Sequence, residues 1–238
     1  MSKLILVRHG QSTWNAENRF TGWVDVDLSN QGILEAQKAG KLIKDLDIKL
    51  DITFTSFLKR AIKTLTTILQ ENNLNLKFET SWKINERHYG SLTGLNKEEI
   101  KNKIGEEKFL KYRRSWDVAP PPMKIDDKNQ SLFSPLNASI PKEYLPLTES
   151  LKNTYNRVIP FFENEIKKNI ETNKNVLISA HGNSLRALCK HLFNISDQKI
   201  SELEIPTGNP LLVEFNKNKI VKSEYLDKLR AKSLIFNQ

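Results

Sequence analysis

The chain has 238 residues, 38% of them hydrophobic and 27% charged, and its 37 Lys and Arg against 28 Asp and Glu give a formal charge of +9. That composition supports a sizeable core in one large domain or two small ones, and it does not suit a membrane protein. No run of 18 apolar residues is present and the opening Met-Ser-Lys-Leu-Ile-Leu-Val-Arg-His meets charge too soon for a signal peptide, so a cytoplasmic protein without a membrane partner is expected.

The run Leu4 to Val7 predicts a buried parallel strand that ends at a His-Gly. Residues 28–46 carry Leu28, Ile33, Ala36, Ala39, Ile43 and Leu46 at helical spacing. Asp51 to Thr55 reads as a second strand. Behind a Ser56 start signal, Leu58, Ala61, Ile62, Leu65, Ile68 and Leu69 form another helical stripe. A helix over 96–112 opens with Asn96 as cap and Glu98 and Glu99 in its first turn. Six of the nine prolines lie between Pro120 and Pro146, which predicts an irregular insertion over about 115–147, lying over the active-site end. A long helix follows over 149–170, kinked at Pro160. Asn175 to Ala180 is the clearest strand. It meets a second His-Gly and a helix carrying Leu185, Leu188, Leu192 and Phe193. Leu211 to Phe215 supplies one more strand, and 222–238 read as a mixed-charge, mobile tail. Strands alternating with helices predict an α/β fold: a single domain over 1–238, built as a three-layer α/β/α sandwich on a mostly parallel sheet.

Two segments repeat one pattern: Leu4-Ile5-Leu6-Val7-Arg8-His9-Gly10-Gln11-Ser12 and Val176-Leu177-Ile178-Ser179-Ala180-His181-Gly182-Asn183-Ser184. The carboxyl ends of parallel strands form a ligand crevice, so His9 and His181 are expected at one edge of the sheet. Gly182 opens a helix whose N-terminal amides favour an anion. A histidine nitrogen carries a phosphoryl group when the ring is unprotonated and the charge on the phosphoryl oxygens is neutralised. Arg8 would disfavour imidazolium and grip phosphate oxygens as a planar fork, and Arg60 would do the same from another side. Glu86, in Asn85-Glu86-Arg87-His88-Tyr89-Gly90, is the best carboxylate for proton transfer. On their own setting His88 and His191 read as packing or surface residues, and Cys189 as core. The 28 Lys are dispersed without a basic stripe, so nucleic acid is not expected as a partner. Arg8, Arg60, Arg113 and Arg114 fall at element ends and point to a small, multiply anionic ligand.

Together with Thr13-Trp14-Asn15, Asn18-Arg19-Phe20-Thr21-Gly22-Trp23, Thr55-Ser56-Phe57-Leu58-Lys59-Arg60-Ala61, Gly94-Leu95-Asn96-Lys97, Arg113-Arg114-Ser115, Pro146-Leu147-Thr148-Glu149-Ser150-Leu151 and Ile205-Pro206-Thr207-Gly208, these motifs resemble the histidine phosphatase superfamily. Within it they resemble the phosphoglycerate mutases that depend on 2,3-bisphosphoglycerate. The resemblance implies His9 as phosphohistidine, Glu86 as proton donor and acceptor, and His181 as stabiliser of the transferring phosphoryl group, with Arg8 and Arg60 beside them. It also implies a substrate site formed by Arg8, His9, Gly10, Gln11, Ser12, Thr13, Trp14, Asn15, Thr21, Gly22, Arg60, Glu86, Arg87, His88, Tyr89, Lys97, Arg113, Arg114, Gly182 and Asn183. The activity implied is interconversion of 3-phosphoglycerate and 2-phosphoglycerate in glycolysis and gluconeogenesis, primed by 2,3-bisphosphoglycerate, without a metal, in a homo-oligomer (dimer or tetramer). Gln11 stands where the family commonly has Glu, Ser91 and Thr93 replace Ala and Gln, and 123–143 match poorly. A phosphatase, or a bisphosphoglycerate synthase or phosphatase, on the same residues is the rival reading; Lys97, Arg113 and Arg114, able to clamp an organic acid, favour transfer over hydrolysis.

Overall fold

The computed structural model of the chain describes residues 1–126 and 128–230. Six strands form one sheet in the order β3-β2-β4-β1-β5-β6: β1 Ser2–Arg8, β2 Ile52–Thr55, β3 Phe78–Thr80, β4 Val176–Ala180, β5 Leu211–Asn216 and β6 Lys219–Tyr225. The pairs β3-β2, β2-β4 and β4-β1 are parallel, and β1-β5 and β5-β6 are antiparallel. The sheet is therefore mixed, with its parallel part on the β1 side that bears the two His-Gly turns.

Period-two alternation in β1 builds both halves of the core. Leu4 and Leu6 pack with Leu151, Val158, Phe161, Leu185 and Leu188 from α6 (Leu151–Phe161) and α8 (Gly182–Leu192). Ile5 and Val7 face the other way, against Ala39 and Ile43 of α2 (Asn30–Lys44) and Leu65, Ile68 and Leu69 of α3 (Lys59–Glu71). Each such fully buried aliphatic side chain contributes about 2 kcal/mol, so the central strand is clamped from both faces. Among the described residues no helix is long and apolar enough to cross a membrane.

Several elements differ from what the spacing predicts. The helix expected over 96–112 is two, α4 (Lys97–Ile104) and α5 (Glu106–Arg114), because Gly105 takes φ +83 between them. The helix expected over 149–170 is interrupted by a π turn, Phe162–Ile166, right after Pro160, which has no N–H to donate, and it resumes as α7 (Lys167–Glu171). β3 is too short to show a period. Residues 222–225, expected in the tail, belong to β6, an edge strand whose Lys and Glu side chains mask its alternation; residues 231–238 of that expected tail lie outside the described residues. Between 115 and 147 the described residues form short 3-10 turns and one isolated bridge, Phe133 to Val24, tied back by Ser91 N–H to Pro121 O (2.8 Å) and Asp25 N–H to Leu132 O (2.8 Å).

What positions the site is register. Arg8 pairs with Ala180, and the His9 N–H donates to Ala180 O at 2.9 Å, so the chain leaves β1 and β4 side by side. The loop after β1 then rests on the first turn of α2 through two glycines. A Cβ on Gly10 would sit 2.1 Å from Gly32 O, and a Cβ on Gly32 would sit 2.0 Å from Gln11 O. Gly32→Ala is accordingly expected to cost about 1–3 kcal/mol by forcing these backbones apart, read as a lower urea midpoint at unchanged slope.

Candidate active site

His9 is buried, and its Nδ1 lies 2.6 Å from Gly10 O. A carbonyl only accepts, so Nδ1 carries the proton and Nε2 keeps its lone pair. Arg60 Nε donates to that Nε2 at 3.3 Å, while its Nη1 and Nη2 end on Val24 O and Gly22 O, both at 2.8 Å. The guanidinium is thus held on three sides without a carboxylate. Burial, then Arg60 and Arg8, push the His9 pKa well below the usual histidine value, leaving the ring neutral at neutral pH. Burial also brings Arg60 down to about 10, which still leaves it charged there. Arg8 Nη1 donates to Ile205 O at 2.8 Å, and its buried Nε has no partner among the described residues.

The His181 ring lies 5.0 Å from that of His9, centroid to centroid, at 60°. Its Nε2 is 2.7 Å from Ser56 Oγ, which also accepts the Leu58 N–H at 3.1 Å. Ser56 therefore ties the end of β2 to the end of β4 instead of capping α3, whose cap residue Leu58 has no side-chain bond. Burial first, then Arg60 and His9, lower the His181 pKa as well. Glu86 completes the group: its Oε1 accepts from Arg87 N (2.7 Å), Asn183 N (3.2 Å) and Asn183 Nδ2 (2.9 Å). Its carbonyl is fixed by Trp23 Nε1 at 2.6 Å and Arg157 Nη2 at 2.9 Å.

Arg8, His9, Arg60 and Glu86 face a narrow chamber of about 80 Å3, walled also by Asn15, Arg19, Thr21, Tyr89, Lys97 and Arg113. It shares Arg8, Glu86, Tyr89 and Arg113 with a wider chamber of about 550 Å3 bounded by Arg114, Gly182, Asn183, Arg186, Glu204, Ile205 and Arg230. Eight cationic side chains meet two carboxylates here, so the cavity is suited to a small molecule with several negative charges. Lys97 shows the strain of that crowding: burial, with Arg113 and Arg8 adding to it, lowers its pKa.

Of the residues named from the sequence, Arg8, His9, Asn15, Thr21, Arg60, Glu86, Tyr89, Lys97, Arg113, Arg114, Gly182 and Asn183 line the two chambers. His181 stands directly behind His9. Others are drawn away by local chemistry. Gln11 Oε1 accepts from Ser29 Oγ at 2.8 Å, and Ser12 caps the short helix α1 (Thr13–Ala16). Thr13 is exposed and Trp14 packs under Arg19. Gly10 packs on α2 and donates its N–H to Thr64 Oγ1 at 3.1 Å, and Gly22 gives its carbonyl to Arg60. Arg87 is buried, with Nη2 on Tyr112 O and Arg113 O, both at 3.0 Å. The His88 ring packs against Trp23 and Phe133. The charged and polar residues missed as site residues include Arg19, Ser56, Arg186, Glu204 and Arg230. Arg186 is one helical turn beyond Asn183, the signal that could have found it; Arg230 sits in a stretch with no motif.

Residues 4–129 and 122–228 match the family model of the histidine phosphatase superfamily (branch 1). The chain is similar to the 2,3-bisphosphoglycerate-dependent phosphoglycerate mutase of Pelagibacter ubique (strain HTCC1062), 54% identical over 238 residues with 99% of each chain covered. It is 51% identical over 229 residues to the protein of the same name from Nautilia profundicola, covering 94% of this chain and 99% of that one. Among solved structures, a mycobacterial glucosyl-3-phosphoglycerate phosphatase complexed with VO3 matches with a TM-score of 0.71 at 19% identity, covering 94% of this chain and 97% of the other. An α-ribazole phosphatase from Shigella flexneri matches with a TM-score of 0.66 at 19% identity, covering 92% and 93%. At those identities the likeness concerns the fold.

The depressed histidines make stability depend on pH with a definite sign. In the unfolded chain His9 and His181 take up protons below about pH 6.5, while in the folded chain they stay neutral, so the unfolded state binds more protons. Stability is full above that pH and declines as pH falls from it toward the lowered folded values. Urea midpoints at pH 7.5 and 5.5 are expected to drop more for the wild type than for a His9→Gln/His181→Gln double variant.

Proposed function

The chain belongs to the histidine phosphatase superfamily, and from that premise we propose that it is an enzyme interconverting 3-phosphoglycerate and 2-phosphoglycerate in glycolysis and gluconeogenesis, an isomerase of the 2,3-bisphosphoglycerate-dependent mutase kind. The observation that carries the mechanism is the His9 ring: neutral, its proton on Nδ1, its Nε2 lone pair held by the Arg60 Nε–H, in a ring that lines the narrow chamber. A ring held this way attacks phosphorus without first losing a proton, the hydrogen bond of the Arg60 Nε–H passing from Nε2 to a phosphoryl oxygen as the new bond forms. Charge on the transferring oxygens is met by Arg8, Arg60 and the positive end of the α8 dipole, with His181 at the ring's edge.

The ligand must be multiply anionic at both ends, and the site fits such a group. Among the described residues Arg8 Nε and Thr21 Oγ1 are buried without partners; Lys97 and Arg113 line the same narrow chamber as His9, and Arg114 lines the wide one. 2,3-Bisphosphoglycerate, when bound, supplies the phosphoryl group that primes His9. His9 then passes its phosphoryl group to a hydroxyl of phosphoglycerate and recovers one from the neighbouring carbon. Glu86, lining both chambers, takes the proton of the attacking hydroxyl and returns it to the leaving oxygen. A clamp of Lys97, Arg113 and Arg114 on the organic acid favours transfer over hydrolysis, because it keeps the acceptor hydroxyl in place near the phosphoryl group. The same reading puts the protein in the cytoplasm, as a dimer or tetramer, acting without a metal.

Phosphorus NMR with 3-phosphoglycerate and EDTA tests this directly. 2-Phosphoglycerate that grows only with a trace of 2,3-bisphosphoglycerate is expected, whereas inorganic phosphate alone would make the chain a phosphatase. His9→Ala is expected to abolish both the phosphoenzyme and turnover. His181→Ala should lower kcat about 100 to 1,000-fold, the usual cost of one charge-stabilising donor, while Arg113→Ala should act chiefly on KM, read by steady-state assay.

A further inference from the structure

Helix α8 brings one more charged side chain to the site. Arg186, one turn beyond Asn183, is buried at the wall of the wide chamber, and its Nη1 donates to Asn183 Oδ1 at 3.2 Å. Its Nη2 ends on the carbonyl of Ile200, in the 3-10 turn Lys199–Glu202, so the guanidinium is anchored at its other end. Burial, with Arg114 and Arg87 adding to it, lowers the Arg186 pKa to about 9, and the group remains a cation at neutral pH.

A primary amide has two unlike ends: the oxygen accepts and the nitrogen donates. A guanidinium only donates, so Arg186 can hold Asn183 only by its oxygen. The Asn183 nitrogen must then point the other way, where it meets Glu86 Oε1 at 2.9 Å and the Tyr89 hydroxyl at 3.0 Å. The flipped amide would set N–H groups against the Arg186 cation and an oxygen against the Glu86 carboxylate. Two charge-assisted bonds would become two repulsions, so the cation at one end fixes what the carboxylate receives at the other.

We propose that Arg186 is a positioning residue for phosphoryl transfer: it locks the Asn183 amide so that it donates to Glu86 and holds that carboxylate where the proton is exchanged. The proposal rests on the proton-handling role of Glu86 given above. Arg186 itself need not touch the substrate. Its two ends are occupied by Asn183 and Ile200.

The test combines a double-mutant cycle with a measurement that needs no turnover. Arg186→Met is expected to lower kcat for 3-phosphoglycerate about 10 to 100-fold, as loss of an outer hydrogen-bond partner commonly does, with KM within about threefold of wild type. Arg186→Lys, which keeps a cation and a donor, should recover part of that loss. If Arg186 acts through Asn183, the Asn183→Ala/Arg186→Met double variant turns over no more slowly than Asn183→Ala alone. Losses that multiply, or a rise in KM with kcat unchanged, would overturn the proposal and make Arg186 a substrate contact. In the ligand-free protein, the Asn183 side-chain amide protons in 1H–15N spectra should be protected from exchange in the wild type and Arg186→Lys, and lose protection in Arg186→Met. Unchanged protection there would also overturn it, whether or not the chain proves to be a mutase. Arg186→Gln takes the place of Arg186→Met should the latter fail to fold.

Discussion

Buried guanidinium groups around this cavity end on backbone carbonyl oxygens: Arg60 on Val24 and Gly22, Arg8 on Ile205, Arg87 on Tyr112 and Arg113, Arg157 on Lys83, Asn85 and Glu86. A carbonyl satisfies the N–H groups and fixes the fork, yet it does not cancel the charge. Only Arg157 in this set also has a close carboxylate, Glu149, at 2.7 Å, and it sits behind the Glu86 loop. The charge of Arg8 and Arg60, which line the narrow chamber, is left for a ligand. An unneutralised buried cation is costly, and a protein keeps several together only where the fold over-determines their positions. The sheet, the two helical layers and the loops around Val24 and Ile205 are that over-determination.

The same field governs the histidines. Each is surrounded by arginine and shut off from water, and both effects favour the neutral ring. Neutrality alone would leave two possible tautomers. For His9 a carbonyl decides between them, because Gly10 O can be met only by a proton on Nδ1. Electrostatics sets the charge, and one local backbone bond sets where the lone pair points.

The sheet's centre and its flanking helices were legible because their patterns are long and apolar: β1, β4, β5, α2, α3 and α8 all carry strong periods. So was the meeting of His9 and His181, which follows from two strands ending alike in a parallel pair. The edges were not legible. β6 is mostly solvated and reads as tail, and a single Gly105 divides what its neighbours write as one helix. In the site, the sequence named groups that carry charge next to a motif. It could not say that Ser56 turns from its own helix to His181, or that Gln11 turns away to Ser29, since each choice is made by a partner far along the chain. Arg186 escaped for a related reason: inside an apolar helical stripe its charge looks incidental until Asn183 and Ile200 are in place.

The bond between His9 Nδ1 and Gly10 O has a consequence for direction. In the mechanism proposed above its proton stays where it is whether the ring is bare or carries a phosphoryl group, so loading and unloading are the same event run in opposite senses. The same lone pair, the same guanidinium groups and the same carboxylate serve both. One set of groups serves both directions, and net flow is left to how far the two phosphoglycerates stand from their equilibrium ratio.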